Sequence, residues 1–304
     1  PRPHGCLRGC AERRRTMSID INQIIDMRVN HPEQIGFVMR DRGMGIRPTA
    51  KFLMIAADDP ARGNLAVGDN PRALEDRWDL LDRLCQAFTI EGVKGCVGAA
   101  DLVEDLTIAG ALKEKFVIGS MNRGGLAGSS FELDDVMSGY DIAGIHESRL
   151  DGGKMLLRLD YSDEGSSHTL SRCARGVCAL NASGRIALLE AVISSRDESG
   201  HVRTHLDMDS ICLATAIASG LGTTSGLTWL MLPLCEDVKR LAHATTLPIV
   251  LRVDFSAGVD ALRNRVQEAL SYPNIIGIMA DTSLVYPSEG SVEDAVKAAL
   301  ELIA

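Results

Sequence analysis

The 304-residue sequence has few aromatic side chains, which make up only 4% of it. A hydrophobic core must therefore be built mainly from Leu, Ile, Val, Ala and Met, and the apolar content of 45% allows this. No apolar run approaches the roughly 20 residues of a membrane-spanning helix. The net charge of −9 argues against a nucleic-acid-binding surface. We therefore expect neither a membrane nor a nucleic acid as partner.

Paired cysteine motifs are also missing. The eight cysteines contain no C-x-x-C pair, and Cys6/Cys10 and Cys173/Cys178 lack a His or Cys partner at zinc-site spacing. The two histidines of HVRTH (201–205) lie in a stretch that is predicted to be a polar loop, without a glutamate. The sequence thus predicts no metal and no cofactor, and it predicts reduced thiols in a cytoplasmic protein.

The first sixteen residues, PRPHGCLRGCAERRRT, differ from the rest of the chain. They are basic, precede Met17 and lack the apolar segment of a signal peptide. We expect residues 1–16 to be a disordered tail of upstream or added sequence, and residues 17–304 to form one domain. A basic arm that binds an anionic partner is the alternative interpretation.

From Lys51 onward, a short apolar segment followed by a loop and a segment of helical period occurs eight times. The predicted strands are KFLMIAAD (51–58), GVKGCVG (92–98), KFVIGSM (115–121), KMLLRLDY (154–161), RIALLEAV (185–192), LTWLMLPL (227–234), PIVLRVDF (248–255) and NIIGIMAD (274–281). Apolar runs of this kind are typical of strands covered on both faces. The pattern predicts an α/β fold, a (β/α)8 TIM barrel with an extra N-terminal helix over residues 20–41. A doubly wound sheet is the alternative, but no G-x-G-x-x-G motif opens a first β–α turn.

The fourth predicted strand carries a lysine and an arginine on one face. In DGGKMLLRLDY (151–161), the two-residue period of a strand places Lys154 and Arg158 opposite the apolar residues that would pack under helices. Both side chains are therefore predicted to point into the barrel. Burial lowers the pKa of a lysine, and the neutral amine can form a Schiff base with a carbonyl. A structural lysine paired with carboxylates, or a binder of substrate oxygens, is the alternative.

Carboxylates end two other predicted strands. Glu190 closes the fifth strand and Asp58 closes the first, with Asp59 and Arg62 close by. Because sites in such barrels lie at the carboxyl ends of the strands, both are candidates for general acid–base chemistry. The alternatives are a solvated glutamate and a loop ion pair with Arg62.

Donors for an anionic substrate follow several strands. Asn122 and Arg123 lie in the glycine-rich stretch GSMNRGGLAGSS (119–130) after the third strand. Arg158 on strand four is a further candidate, and loops after strands seven and eight often bind phosphate, where Arg252 and Ser283 could contribute.

Several strings resemble a known family. AADDPARG, GSMNRGGLAGSSFELDD, DGGKMLLRLD, IASGLGTTSGLTWLMLP, ATTLP and LVYP resemble actinobacterial (β/α)8 proteins described as deoxyribose-phosphate-aldolase-like and linked to inositol catabolism, over about residues 30–304. D-G-G-K and the strand-five glutamate more distantly resemble class I aldolases acting on tagatose bisphosphate and sulfofructose phosphate. In that wider family an aspartate, a lysine and a glutamate on strands one, four and five surround the substrate. The resemblance implies these places for Asp58, Lys154 and Glu190.

The sequence also departs from that family. The Schiff-base lysine of the wider family lies on strand six, where the closer group reads T-W-L-K-L-P and this chain reads TWLMLP. Met231 takes the place of the lysine, and Trp229 shares its face of the strand and is a candidate for substrate contact. The family's strand-eight G-R, which resembles a phosphate site, is D-T at 281–282.

These features together predict a class I-type aldolase for a small phosphorylated keto or deoxy sugar, in inositol or related carbohydrate catabolism. Lys154, Glu190 and Asp58 are its candidate catalytic residues. The alternatives are a non-catalytic barrel that binds a sugar phosphate and a metal-independent isomerase or epimerase. All three interpretations predict a cytoplasmic homo-oligomer.

Overall fold

A computed structural model describes residues 19–123 and 125–304, so the predicted tail at 1–16 lies outside the described residues. The strands are β1 (Phe52–Ala56), β2 (Val93–Gly98), β3 (Phe116–Ser120), β4 (Gly152–Leu159), β5 (Ile186–Arg196), β6 (Val202–His205), β7 (Thr228–Pro233), β8 (Ile249–Val253) and β9 (Ile275–Ala280). All except β6 pair in parallel, and the pairing of β4 with β5 closes the sheet. The predicted (β/α)8 barrel is confirmed.

Helices surround the barrel. They are α1 (Ile21–Asn30), α2 (Pro32–Asp41), α3 (Arg77–Thr89), α4 (Ala100–Ile108), α5 (Ile142–Glu147), α6 (Gly165–Ala182), α7 (Met208–Ser219), α8 (Val238–His243), α9 (Val259–Leu270) and α10 (Val292–Glu301), with 3-10 turns at Asp59–Arg62 and Thr282–Val285. The expectation of one leading helix over 20–41 is wrong. The helix breaks at His31 (φ −137°), because the residue before a proline disfavours helical geometry and Pro32 suits a first helical turn.

Residues 202–205 form a strand, so the prediction of a polar loop over 201–205 is wrong. Strand β6 lies antiparallel to the end of β5, with Ser194 opposite Thr204. The hairpin turns at Gly200, whose φ of +83° favours glycine. This hairpin extends β5 beyond the part of the strand that pairs with β4 and β7.

The apolar core has two layers. One lies between the strands and the helices, and the other fills the barrel. At the amino-terminal end of the barrel, Trp229 stacks on Phe52 and on Phe116, with ring centroids 5.8 Å apart in both pairs. Three of the few aromatic residues thus close this end, and the inward-facing polar residues lie towards the other.

Among the described residues, no helix has both the length and the apolar character needed to cross a membrane. The six cysteines in this part of the chain are free thiols, and Cys85, Cys96, Cys173 and Cys235 are buried.

Candidate active site

Three side chains that the sequence singled out meet inside the barrel. Lys154 lies on β4 with its side chain only 4% exposed. Its Nζ is 2.6 Å from Glu190 Oε2 and 3.1 Å from Asp58 Oδ2. Strand period explains this placement, because Met155 and Leu157 on the opposite face pack in the layer beneath the helices.

Two arginines extend this group at either end. Arg123 forms an ion pair with Asp58, and Arg252 Nε is 3.5 Å from Glu190 Oε1. The five side chains form a row of alternating charge, Arg123–Asp58–Lys154–Glu190–Arg252, hereafter the ion-pair row. Arg252 is its exposed end, whereas the other four side chains are nearly buried. Because each buried charge has an opposite neighbour, the row can exist inside the barrel.

Burial lowers the pKa of Lys154 to about 8, against the opposing attraction of Glu190 and with further lowering by Arg123. With that pKa, about a tenth of the amine is neutral at pH 7, compared with about 0.03% for an ordinary lysine. The neutral amine is the nucleophile in imine formation. The surroundings of Lys154 therefore favour attack on a carbonyl.

Glu190 has the opposite protonation behaviour. Burial on its own would raise the pKa of this carboxyl, but the charges of Lys154, Arg252 and Arg123 outweigh burial and lower it to about 2. Glu190 is therefore ionised next to the amine and can accept a proton.

Arg158 points inward as predicted, but a carboxylate already holds it. Its Nε and Nη2 donate to the two carboxylate oxygens of Asp135 at 2.8 and 2.7 Å, and Nη2 also donates to the carbonyl of Glu132. Both partners of this bidentate pair are buried. Arg158 thus fastens the long loop between β3 and α5 to strand β4, and its guanidinium is not available to a substrate anion.

Asn122 and Ser283 likewise make structural hydrogen bonds instead of facing a substrate. The Asn122 side chain donates to the carbonyl of Leu156 at 2.6 Å and accepts from the Leu156 amide at 2.7 Å. Ser283 Oγ accepts from the Phe255 amide at 2.7 Å and donates to Asp281. These side chains replace missing strand and loop hydrogen bonds at the mouth of the barrel.

The structure does not bring Trp229 to the site. It belongs to the aromatic layer at the amino-terminal end, two residues before Met231 on the same inward face of β7. Met231 pairs in register with Glu190 and is 1% exposed. The position that resembles the family's lysine thus lies beside the ion-pair row and holds an apolar side chain.

Two residues at this end of the barrel were not assigned to the site from the sequence. Ser120 is 1% exposed and its Oγ donates to Asp58; the two-residue period through Asn122 could have placed it inside. A loop ion pair with Arg62 was the alternative interpretation of Asp58. Instead, Arg62 Nε donates to the carbonyl of Gly125 at 3.3 Å.

The fold and the site define a (β/α)8 barrel in which a buried lysine is held between two carboxylates. The chain belongs to the Cgl0159-like family, which matches residues 50–300. The crystal structure of Cgl0159 from Corynebacterium glutamicum is 36% identical, covers 94% of this chain and 98% of its own, and superposes with a TM-score of 0.88.

Structures of aldolases are more distant. An archaeal fructose 1,6-bisphosphate aldolase is 14% identical over 88% of this chain and 98% of its own, with a TM-score of 0.61. A structure of the Schiff base forming fructose-1,6-bisphosphate aldolase is 14% identical over 89% of this chain and 100% of its own, with a TM-score of 0.62. This likeness shows a shared fold. No curated protein matches the sequence.

Proposed function

We propose that this protein is a class I-type aldolase that forms an imine between Lys154 and a small phosphorylated keto or deoxy sugar. The observation that carries the proposal is a buried amine of lowered pKa held between two carboxylates. All seven lysines of the sequence lie in the described residues, and Lys154 is the only one of them that is buried. If an imine forms inside the barrel, Lys154 must carry it.

In the first step, the lone pair of neutral Lys154 attacks the carbonyl carbon of the substrate, and the carbonyl π electrons move to oxygen. The oxygen takes up one proton from the attacking nitrogen and one from solvent and leaves as water. The nitrogen lone pair then forms the double bond to carbon, which leaves the nitrogen positively charged. Asp58 holds the amine on the side away from Glu190, with Nζ–Oδ distances of 3.1 and 3.3 Å. The cationic imine then takes the place of the ammonium in the ion-pair row.

In the second step, Glu190 takes the proton of the hydroxyl on the carbon β to the imine carbon. The oxygen electrons form a new carbonyl, the carbon–carbon bond breaks, and its electrons move to the cationic nitrogen to give a neutral enamine. The charge of Lys154 is one of the causes that lower the pKa of Glu190. Since nitrogen loses that charge as the bond breaks, Glu190 becomes a stronger base when the proton arrives.

The resemblance to aldolase-like proteins linked to inositol catabolism supports a sugar-derived substrate, and the fold shared with Schiff-base aldolases is compatible with the chemistry. Met231 is apolar and lies where the class I aldolases that the sequence resembles have their Schiff-base lysine. This favours imine formation on the lysine of β4.

Sodium borohydride trapping tests the proposal. The protein is incubated with free and phosphorylated keto sugars, reduced, weighed by mass spectrometry and mapped by peptide. We expect one stable adduct on Lys154, its loss in Lys154→Met and in the charge-conserving Lys154→Arg, and its retention in Lys239→Met, which alters an exposed lysine of α8.

An adduct on another lysine would overturn the assignment of Lys154. No adduct with any ketone, in a protein whose circular dichroism shows it folded, would contradict imine chemistry. The isomerase or sugar-phosphate-binding interpretation would then replace the aldolase.

A further inference from the structure

The loops after β8 and β9, where many barrels bind phosphate, have backbone donors that are already occupied. The Phe255 amide donates to Ser283 Oγ at 2.7 Å. The Ser256 amide donates to Asp254 Oδ1 at 2.8 Å. The Ser283 amide donates to Asp281 Oδ1 at 3.0 Å. An anion there would lack these donors and would meet the two carboxylates, which repel it.

On the other side of the mouth, Arg62 has donors to spare. It lies at the end of the turn after β1, and only its Nε makes a side-chain hydrogen bond to the described residues, to the carbonyl of Gly125. No carboxylate of the described residues lies within ion-pair distance of this half-buried guanidinium. A guanidinium has five N–H donors, so four remain for a ligand.

The surroundings of Arg62 place it beside the buried Arg158–Asp135 pair, and Arg158 lies four residues after Lys154 on the same inward face of β4. A Cβ added at Gly125 would lie 2.7 Å from Asp135 Oδ1, so the carbonyl that Arg62 binds belongs to a residue packed on the buried Arg158–Asp135 pair. Burial lowers the pKa of Arg62, Arg158 lowers it further, and Asp135 and Glu190 act in the opposite direction. Glu190 is therefore close enough to act on Arg62.

Arg252, near the end of β8, is also partly exposed, but Glu190 and the nearby carboxylates of Asp281 and Asp254 raise its pKa, and they would repel an anion beside it. It contacts Glu190 through Nε at 3.5 Å, and 43% of its side chain is exposed at the outer end of the ion-pair row. The charge of Arg158 is paired with Asp135 and Glu132, and that of Arg123 with Asp58. Among the described arginines of the ion-pair row and its surroundings, Arg62 is thus the one that can hold an anion away from Asp254 and Asp281.

We propose that the site takes a keto compound with one anionic group, which Arg62 holds, while its uncharged hydroxyl end lies towards Asp254 and Asp281. This inference rests on the proposed function and narrows its substrate class. Carboxylates accept from hydroxyls, whereas the second phosphate of a bisphosphate would meet them directly. The anion is a phosphate or a carboxylate, since a guanidinium binds both in the same bidentate geometry.

Trapping rates on Lys154 test the substrate class. The trapping rate with fructose 1-phosphate is compared with the rates with fructose and with fructose 1,6-bisphosphate. The rates with pyruvate and with dihydroxyacetone phosphate are compared to distinguish a carboxylate from a phosphate. We expect a ketone with one anionic group to be trapped at least about tenfold faster than the ketone with none or the ketone with two phosphates. Arg62→Met should bring the ratio of singly anionic to neutral ketone close to one, whereas Arg175→Met on the outer face of α6 should preserve it.

Binding of inorganic phosphate, measured by isothermal titration calorimetry, tests the anion site without catalysis. We expect one phosphate per chain, bound at least about tenfold more weakly by Arg62→Met and equally well by Arg175→Met. Two phosphates per chain, binding unchanged by Arg62→Met, or a bisphosphate trapped as fast as the monophosphate would each overturn the inference. Phosphate binding that depends on Arg62, together with no trapping of any ketone, would support the anion site and contradict the aldolase.

Discussion

Lys154 Nζ and Glu190 Oε2 are 2.6 Å apart, although their residues are not opposite each other in the sheet. The register of β4 and β5 pairs Lys154 with Leu188 and Leu156 with Glu190, so the ion pair runs diagonally across neighbouring strands. Both side chains are buried, and each changes the pKa of the other. Their protonation is therefore coupled, and a change at one alters the reactivity of the other.

The reactivity of Lys154 should follow its lowered pKa. Its rate of modification by a trace acylating reagent, resolved by peptide, should rise about tenfold per pH unit and level off near the pKa of about 8. In urea-unfolded protein the reactivity of the same lysine should keep rising with pH up to the ordinary lysine pKa of 10.5. Identical profiles for folded and unfolded protein would show that burial does not act on this amine.

Glu190→Gln should separate imine formation from bond cleavage. Glu190 raises the pKa of Lys154, so its neutral replacement should increase the neutral amine and speed acylation near pH 7. The cleavage step loses its proton acceptor and should slow by about 10²–10⁴-fold. The exposed Glu301→Gln on α10 is the control, and a variant in which both rates fell together would contradict the assigned role.

Strand period predicted which side chains point inward but not how far each lies along the barrel axis. The structure brings Lys154, Asp58 and Glu190 together, although only Asp58 follows the end of its strand. Lys154 is the third residue of β4, and Glu190, which was expected to close its strand, is the fifth of the eleven residues of β5. Trp229 shares the inward face but lies at the other end of the barrel, since its stacking partners Phe52 and Phe116 come from β1 and β3.

Arg158→Met should free the loop between β3 and α5. The Arg158–Asp135 pair is buried, with side chains 6% and 0% exposed, so we expect a loss of about 3–5 kcal/mol in unfolding free energy. Arg172 pairs with Asp134 of the same loop, but these side chains are 37% and 52% exposed, so Arg172→Met should cost less than about 1 kcal/mol.

Urea unfolding gives both values, and limited proteolysis reports the loop directly. Cleavage within residues 125–141 should accelerate in Arg158→Met well beyond the change in Arg172→Met. Equal protection in the two variants would show that the buried pair does not hold the loop.

Met231→Lys should place a second amine beside Glu190, because the two positions pair in register. Burial should lower the pKa of the new amine and reduce the unfolding free energy by several kcal/mol, and borohydride should trap ketones at position 231 as well as at Lys154. Met54→Lys, also inside the barrel but four residues before Asp58 on β1, is the control and should give no adduct. Trapping confined to Lys154 in Met231→Lys would contradict this expectation.

The partners of inward polar groups were beyond sequence reasoning, because they lie far apart in the chain. Asn122 binds the backbone of Leu156, 34 residues away, and Ser283 accepts from Phe255, 28 residues away. A polar residue at a strand end that hydrogen-bonds to such a distant backbone group has the same local sequence pattern as one that faces a substrate. Only the packed barrel distinguishes them.

The hairpin of β5 and β6 makes the rim of the barrel uneven. Strand β5 continues for six residues beyond Glu190, about 20 Å at 3.3 Å per residue, whereas β7, β8 and β9 end near the level of the ion-pair row. The rim of the barrel is therefore higher on the side of β5 and β6 than on the side of β7, β8 and β9. A molecule arriving from solvent meets the low side first, so the route to Lys154 passes the outer guanidinium of Arg252.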